Sequence, residues 1–239
     1  MTPPELLTAE AVSAEQSLVE RYARMANEGL ERRPVNPLLR LLDVALAATA
    51  LAVLSPLLGA AGLAIRLTSR GPVLYRGLRV GKGGHLFTMV KFRTLKEDAE
   101  TRLGPYLGLE LSRLTDGEVT AVGRWLRRTH LDEAPQLWNV LRGEMSLVGP
   151  RPVRPLFFEG LCREVPQYWQ RLVVPPGLTG LAQIRLTREE TWEDKLAHDL
   201  EYIADRSVGL YFHVLKETVV RVLRRLSSND AASGGLSSA

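Results

Sequence analysis

Along this chain the spacing of apolar and polar residues changes three times. Residues 1–36 mix Leu7, Ala11, Leu18, Tyr22, Met25 and Leu30 with Glu and Arg at roughly helical spacing, which predicts an amphipathic helix. It serves either as a packing helix or as a contact in a homo-oligomer. The Pro-bounded break Arg33-Pro34-Val35-Asn36-Pro37 ends it. From Val44 to Ile65 no charge occurs, and a straight helix of that run would be about 33 Å long, near the thickness of a bilayer core. Ser55-Pro56 lies at its midpoint, where proline removes a backbone donor and bends a helix. Arg32, Arg33 and Arg40 precede the run and Arg66 and Arg70 follow it, so flanking charge gives no orientation. Two arrangements satisfy this pattern. One is a transmembrane helix. The other is a re-entrant helix–break–helix hairpin that dips into one leaflet, its freed backbone groups covered by protein or by Ser55.

The period then shortens. Pro72–Arg76 and His85–Val90 predict two short strands joined by a hairpin turn at Gly81-Lys82-Gly83-Gly84. Lys91 and Arg93 follow on one side of the extended chain, where two cations can point at a diphosphate. Residues 95–120 are charged and broken by Gly104-Pro105 and Asp116-Gly117, which predicts a mobile helix–loop cover. Helical spacing returns at Arg124–Arg128, at Gln136–Leu141, at Lys195–Tyr202 and in an amphipathic Ser207–Leu226 helix. The Ser/Gly/Ala-rich tail 227–239 reads as disordered.

At 239 residues, one domain with its own core is expected. The net charge of +4 suits phosphate ligands or an anionic membrane surface. Nucleic acid is not expected, since no helix-turn-helix, zinc-finger or RNP-type motif occurs. Cys162 is the only cysteine, which excludes an internal disulfide and a cysteine-based metal site.

The chemistry concentrates between residues 122 and 154. Asp132 and Glu133 are adjacent, and six arginines (124, 127, 128, 142, 151, 154) surround three acids. Charge pattern alone allows a solvated helix face with weak ion pairs. It also suits phosphate chemistry, with arginines holding the anion while an acid attacks, moves a proton or holds a metal. Thr129 or Asp132 is placed to cap the next helix, with Pro135 in its first turn. That would set the acid pair at a helix N-terminus, where anions are favoured. Pro150 and Pro152 stiffen the turn that carries Arg151.

The run from Leu126 to Pro152, LRRTHLDEAPQLWNVLRGEMSLVGPRP, resembles the bacterial sugar transferase family, the monotopic phosphoglycosyl transferases. Lys91-Phe92-Arg93-Thr94, the loop Val174–Gln183, and Asp199 with Tyr202 also match family elements, and the resemblance spans roughly residues 36–226. Three departures stand out. His130 replaces a usual Ser, Pro175 a usual Arg or Lys, and Tyr211 a usual Asp. If an anion contact is lost at Pro175, Arg171 or Arg185 is left to supply it.

The resemblance implies an α+β, mainly helical, membrane-associated domain with a small β-hairpin, and it favours the re-entrant hairpin broken at Ser55-Pro56. With the residue patterns on either side of it, the expected division is a 1–36 N-terminal amphipathic extension, a 37–70 re-entrant membrane hairpin, a 71–226 catalytic domain and a 227–239 disordered tail. The implied reaction transfers a sugar phosphate from a UDP-sugar to a polyprenyl phosphate at the cytoplasmic face of the bacterial inner membrane. Asp132 would be the nucleophile and Glu133 its helper through a metal or a proton. Arg127 and Arg151 would hold phosphate, with Lys91 and Arg93 behind them. Mg²⁺ on Asp132 and Glu133 is expected, because a carboxylate attacking a diphosphate faces like-charge repulsion. A non-catalytic, membrane-anchored scaffold is the alternative.

Overall fold

A computed structural model describes residues 35–97, 99, 115, 117–186 and 191–234. The expected N-terminal amphipathic helix lies outside the described residues, as does most of the expected 95–120 cover. The first element is helix α1, Val35–Thr68. Next come strands β1 (Leu74–Val80) and β2 (Leu86–Phe92), antiparallel, pairing Leu74 with Phe92 and Val80 with Leu86. The turn between them, Lys82–Gly84, puts Gly83 and Gly84 at positive φ, which explains the glycine run as turn geometry.

Helix α2 (Ala121–Thr129) leads through a 3₁₀ segment (Leu131–Gln136) into α3 (Leu137–Arg142). Strand β3 (Ser146–Val148), helix α4 (Pro155–Glu164), a 3₁₀ turn (Tyr168–Val173) and strand β4 (Gly177–Thr179) follow. The chain closes with α5 (Leu181–Arg185), α6 (Trp192–Ala204) and α7 (Val208–Gly234). Helix α7 continues past Leu226, where the sequence pattern ended it, and residues 235–239 lie outside the description.

The pairing of β3 with β4 is parallel and was not expected. Its strands have only three residues each, too few for an alternating pattern to register. Glycine permits the approach: a Cβ on Gly177 would lie 2.1 Å from the Gly149 nitrogen.

The Ser55-Pro56 pair does not split α1 into two helices. Proline at 56 cannot donate to the Ala52 carbonyl, and the Ser55 hydroxyl does so instead, at 2.8 Å. Backbone satisfaction therefore carries through the proline. One stripe of α1 faces the body: Leu39, Asp43, Ala47, Ala61 and Ile65 are buried. Leu39 and Ala47 join a core with Phe87, Met89, Val140, Leu147 and Tyr211. Ala61 and Ile65 pack with Phe92 and Leu126. Both halves of the helix thus rest on one body, to whose two cores β2 contributes Phe87, Met89 and Phe92. The opposite face leaves Leu41, Val53, Leu63 and Leu67 between 60% and 75% exposed. By length and composition α1 is apolar enough to cross a membrane.

Two polar contacts lock the first half of α1 in place. Arg40 donates to the carbonyls of Val140 (2.6 Å) and Leu141 (2.8 Å) at the end of α3. Asp43 accepts from the Leu147 N–H at 2.8 Å and from the Tyr211 hydroxyl at 2.9 Å. Tyr211, which departs from the family pattern, therefore makes a buried polar contact rather than losing one.

Candidate active site

The acid pair is built by a sharp reversal. Thr120 caps α2 by accepting from the Gly123 N–H. Thr129 turns its hydroxyl back onto the carbonyls of Trp125 and Leu126, so it does not cap the next segment. His130 takes the left-handed conformation (φ 57°), the only non-glycine to do so among the described residues. It makes the corner after which Asp132 and Glu133 occupy the first turn of the 3₁₀ segment. His130 therefore acts as the turn residue beside the acids.

Five expected site residues meet here. Asp132 is buried, at 8% exposure, and burial pushes its carboxyl up to about 6, with Glu133 adding to the rise. Lys91, Arg127 and Arg151 keep it from rising higher. Glu133 is forked by Arg151, whose Nη2 donates to Oε1 and whose Nη1 lies 3.5 Å from Oε2. Burial alone would raise Glu133, but the Arg151 pair outweighs it and holds the carboxyl below its usual range. The two neighbours are thus driven apart in acidity, which suits different roles. The ammonium of Lys91 lies 4.9 Å from the centre of the Tyr75 ring. Burial, helped by Arg79 and Arg151, brings it down to about 8 against the pull of Asp132 and Glu133. Arg127 is half-buried, its Nε donating to Thr94 Oγ1 at 3.0 Å.

Arg93 is not brought into this cluster. Strand β2 ends at Phe92, and the Arg93 side chain turns to the end of α1, donating to Pro72 O (2.6 Å), Ser69 O (3.2 Å) and Ser69 Oγ (2.9 Å). Those acceptors take a cation that strand alternation had put beside Lys91. Both candidate replacements for the missing cation at Pro175 already hold a carboxylate partner. Arg171 is buried in an ion pair with Asp199 (2.8 Å), and Arg185 is paired with Glu201 (2.6 Å).

Asn139 is a functional-site residue that spacing does not mark, although an amide inside an apolar helix is a usable signal. Its Oδ1 accepts from Val90 N (3.0 Å) and its Nδ2 donates to Thr88 O (2.8 Å) and Glu144 Oε2 (2.7 Å). It thereby pairs the free edge of β2 next to Lys91. Asn139→Leu should destabilise the fold by about 2–3 kcal/mol by stranding those groups, readable as a lower denaturant midpoint.

No cluster of three or more His, Cys, Asp or Glu occurs among the described residues, so a cation held wholly by protein side chains has no support there. Mg²⁺ needs less, because it takes one or two carboxylates and fills its octahedron with phosphate oxygens and water. Asp132 and Glu133 supply such hard oxygens, and the raised pKa of Asp132 is what a nearby cation would relieve. The donor set fits.

The family described as "Bacterial sugar transferase" matches residues 35–225. An undecaprenyl-phosphate glucose phosphotransferase of Komagataeibacter xylinus is 40% identical over 215 residues, covering 85% of this chain and 40% of the relative. A UDP-glucose:undecaprenyl-phosphate glucose-1-phosphate transferase of Caulobacter vibrioides is 42% identical over 191 residues, covering 77% and 69%. A UDP-N-acetylgalactosamine-undecaprenyl-phosphate N-acetylgalactosaminephosphotransferase of Aeromonas hydrophila is 36% identical over 185 residues, covering 76% and 43%. The matched region is thus under half of the first and third relatives and about two thirds of the second.

Proposed function

Because the chain belongs to the bacterial sugar transferase family, we propose that it transfers a sugar phosphate from a UDP-sugar to a polyprenyl phosphate such as undecaprenyl phosphate, releasing UMP. The observation that carries this reading is Asp132: a buried carboxylate with Lys91, Arg127 and Arg151 acting on it. Cations in that arrangement attract a diphosphate and stabilise charge developing on it.

An ionised Asp132 oxygen attacks the phosphorus bonded to the sugar, and the bond from that phosphorus to the bridging oxygen of UMP breaks. UMP leaves with the electron pair. A lipid phosphate oxygen then attacks the same phosphorus, frees Asp132 and yields the polyprenyl diphosphate sugar. Two steps let one site serve a water-borne donor and a membrane-borne acceptor in turn. Arg151 and Arg127 hold the diphosphate, and Lys91 adds charge from β2. Mg²⁺ bound by Asp132 and Glu133 would neutralise phosphate charge.

The proposed location is the cytoplasmic face of the inner membrane, with α1 embedded in one leaflet. Support comes from both halves of α1 resting on one body while its other face stays bare and apolar. A helix crossing the bilayer would carry its two ends to opposite sides. The covered Ala52 carbonyl meets the requirement for proline at membrane depth. The relatives' names include both glucose and N-acetylgalactosamine, so the donor is proposed only as a UDP-sugar. A non-catalytic scaffold is disfavoured by the ordered acid pair and by the working contact of Tyr211.

The test is a panel of UDP-sugars with membrane-inserted protein and Mg²⁺. One donor should give UMP release and, without acceptor, leave label from the sugar phosphate on denatured protein. Release without any trapped adduct under rapid quench would replace the two-step route with direct transfer. Activity should also fall at alkaline pH. Lys91 loses its proton as pH rises through about 8, so donor kcat/KM should drop above that value. Lys91→Arg, charged throughout, should push this limb to higher pH.

A further inference from the structure

Arg151 is more than half exposed, and the fork on Glu133 is the side-chain contact that holds its guanidinium. The backbone sets where that side chain starts, and Pro150 and Pro152 carry no N–H of their own to hold the turn. The turn is instead gripped through its carbonyls. Tyr202 donates its hydroxyl to Val148 O at 3.0 Å, Gly177 N to Pro150 O at 2.9 Å and Val80 N to Val153 O at 3.0 Å. The carbonyl of Arg151 itself accepts from Arg171 Nη2 at 2.8 Å.

Arg171 is a costly way to make that bond. It is 6% exposed, bound to Asp199, itself 4% exposed, and to the Tyr168 hydroxyl, with its guanidinium 4.7 Å from the Tyr168 ring centre. A buried ion pair of this kind adds little net stability, and an apolar pair of equal volume often does as well. What an apolar pair cannot do is donate to the Arg151 carbonyl.

We propose that Arg171 and Asp199 are positioning residues that fix the Arg151 guanidinium for the diphosphate of the donor. The proposal rests on the transferase reading given above. Asp199 orients Arg171, Arg171 holds the backbone of residue 151, and the stiff turn passes that placement to the fork on Glu133. A shift of about 1 Å in a substrate-holding group can cost about 10²-fold in rate.

The experiment replaces the pair by Arg171→Met with Asp199→Leu in the full chain, in detergent or nanodiscs. The double variant should unfold within a few degrees of wild type. Its kcat/KM for the UDP-sugar should fall about 10- to 100-fold, with KM for polyprenyl phosphate unchanged. UDP affinity by calorimetry should fall in parallel. In an Arg151→Ala background the same pair of changes should cost less than about twofold, because the residue it acts through is gone. Wild-type donor kinetics in the folded double variant would overturn the proposal, as would an equal loss in the Arg151→Ala background. If the apolar pair fails to fold, Asp199→Asn keeps the shape and carries the same comparison. Wild-type protein that neither binds UDP nor turns over any donor would overturn the transferase reading and this proposal together. An active wild type with an impaired Arg151→Ala but an unaffected double variant would overturn this proposal alone.

Discussion

Asp132→Asn should lose donor-dependent UMP release by at least about 10³-fold and should be more stable than wild type. The loss follows from removing the attacking oxygen, since an amide in the same place is no nucleophile. The gain follows from burial. Buried Asp132 titrates at about 6 instead of 3.8, so the fold disfavours its ionised form. Above pH 6 the carboxylate is ionised both folded and unfolded, and the fold bears a cost of up to about 3 kcal/mol at 1.36 kcal/mol per pH unit. That cost shrinks as pH falls through 6 and is gone below 3.8, where both states are protonated. Asparagine removes the charge and keeps the shape. Denaturant titration at pH 8 with chelator present should therefore show the variant ahead by about 1–3 kcal/mol, and the two proteins should converge near pH 3.5. Retained turnover would remove Asp132 as the nucleophile. A variant less stable than wild type at pH 8 would mean that the three cations outweigh the burial.

What could be read from the chain alone was what local spacing encodes. The acid pair, the proline-flanked Arg151, the glycine turn of the β1–β2 hairpin and the apolar run of α1 all announce themselves within a dozen or two residues. The acid pair was also expected in a first helical turn, and it is there, although His130 makes the corner without a side-chain cap. What escaped was decided by partners far along the chain. Asp43 meets Leu147 and Tyr211, Arg40 meets the end of α3, and Asn139 meets the edge of β2. No periodicity reports such contacts. Arg93 shows the limit most clearly. Alternation put it beside Lys91, but the strand stops one residue earlier and the carbonyls of Ser69 and Pro72 are nearer partners. Ser55 was foreseen as cover for the backbone beside Pro56. The finding that its hydroxyl carries the helix through the proline came only with the fold.

Arg151 is the second residue on which the site depends. Arg151→Ala should lower donor kcat/KM by about 10²–10³-fold, the range seen when one preorganised donor to a developing anion is removed. Two effects combine. The diphosphate loses its forked partner, and Glu133 is left in a half-buried place with the charge that held its pKa down now gone. Its carboxyl should rise toward and past the ordinary range. Asp132 should rise as well, because Arg151 is one of the three cations restraining it. In the variant, the acidic limb of the pH profile should therefore move to higher pH, a shift that simple loss of phosphate affinity would not produce. Arg151→Lys separates charge from geometry. The ammonium restores the positive field on Asp132 and Glu133, so the acidic limb should return, but a single point of donation cannot reproduce the fork. Donor kcat/KM should consequently recover by less than about tenfold. Steady-state kinetics of the three proteins across pH 5 to 9, in donor and acceptor separately, reads both effects. An Arg151→Ala protein with wild-type donor KM and an unmoved acidic limb would show that the fork on Glu133 is an ordinary surface ion pair, and the phosphate would have to be held by Arg127 and Lys91 alone.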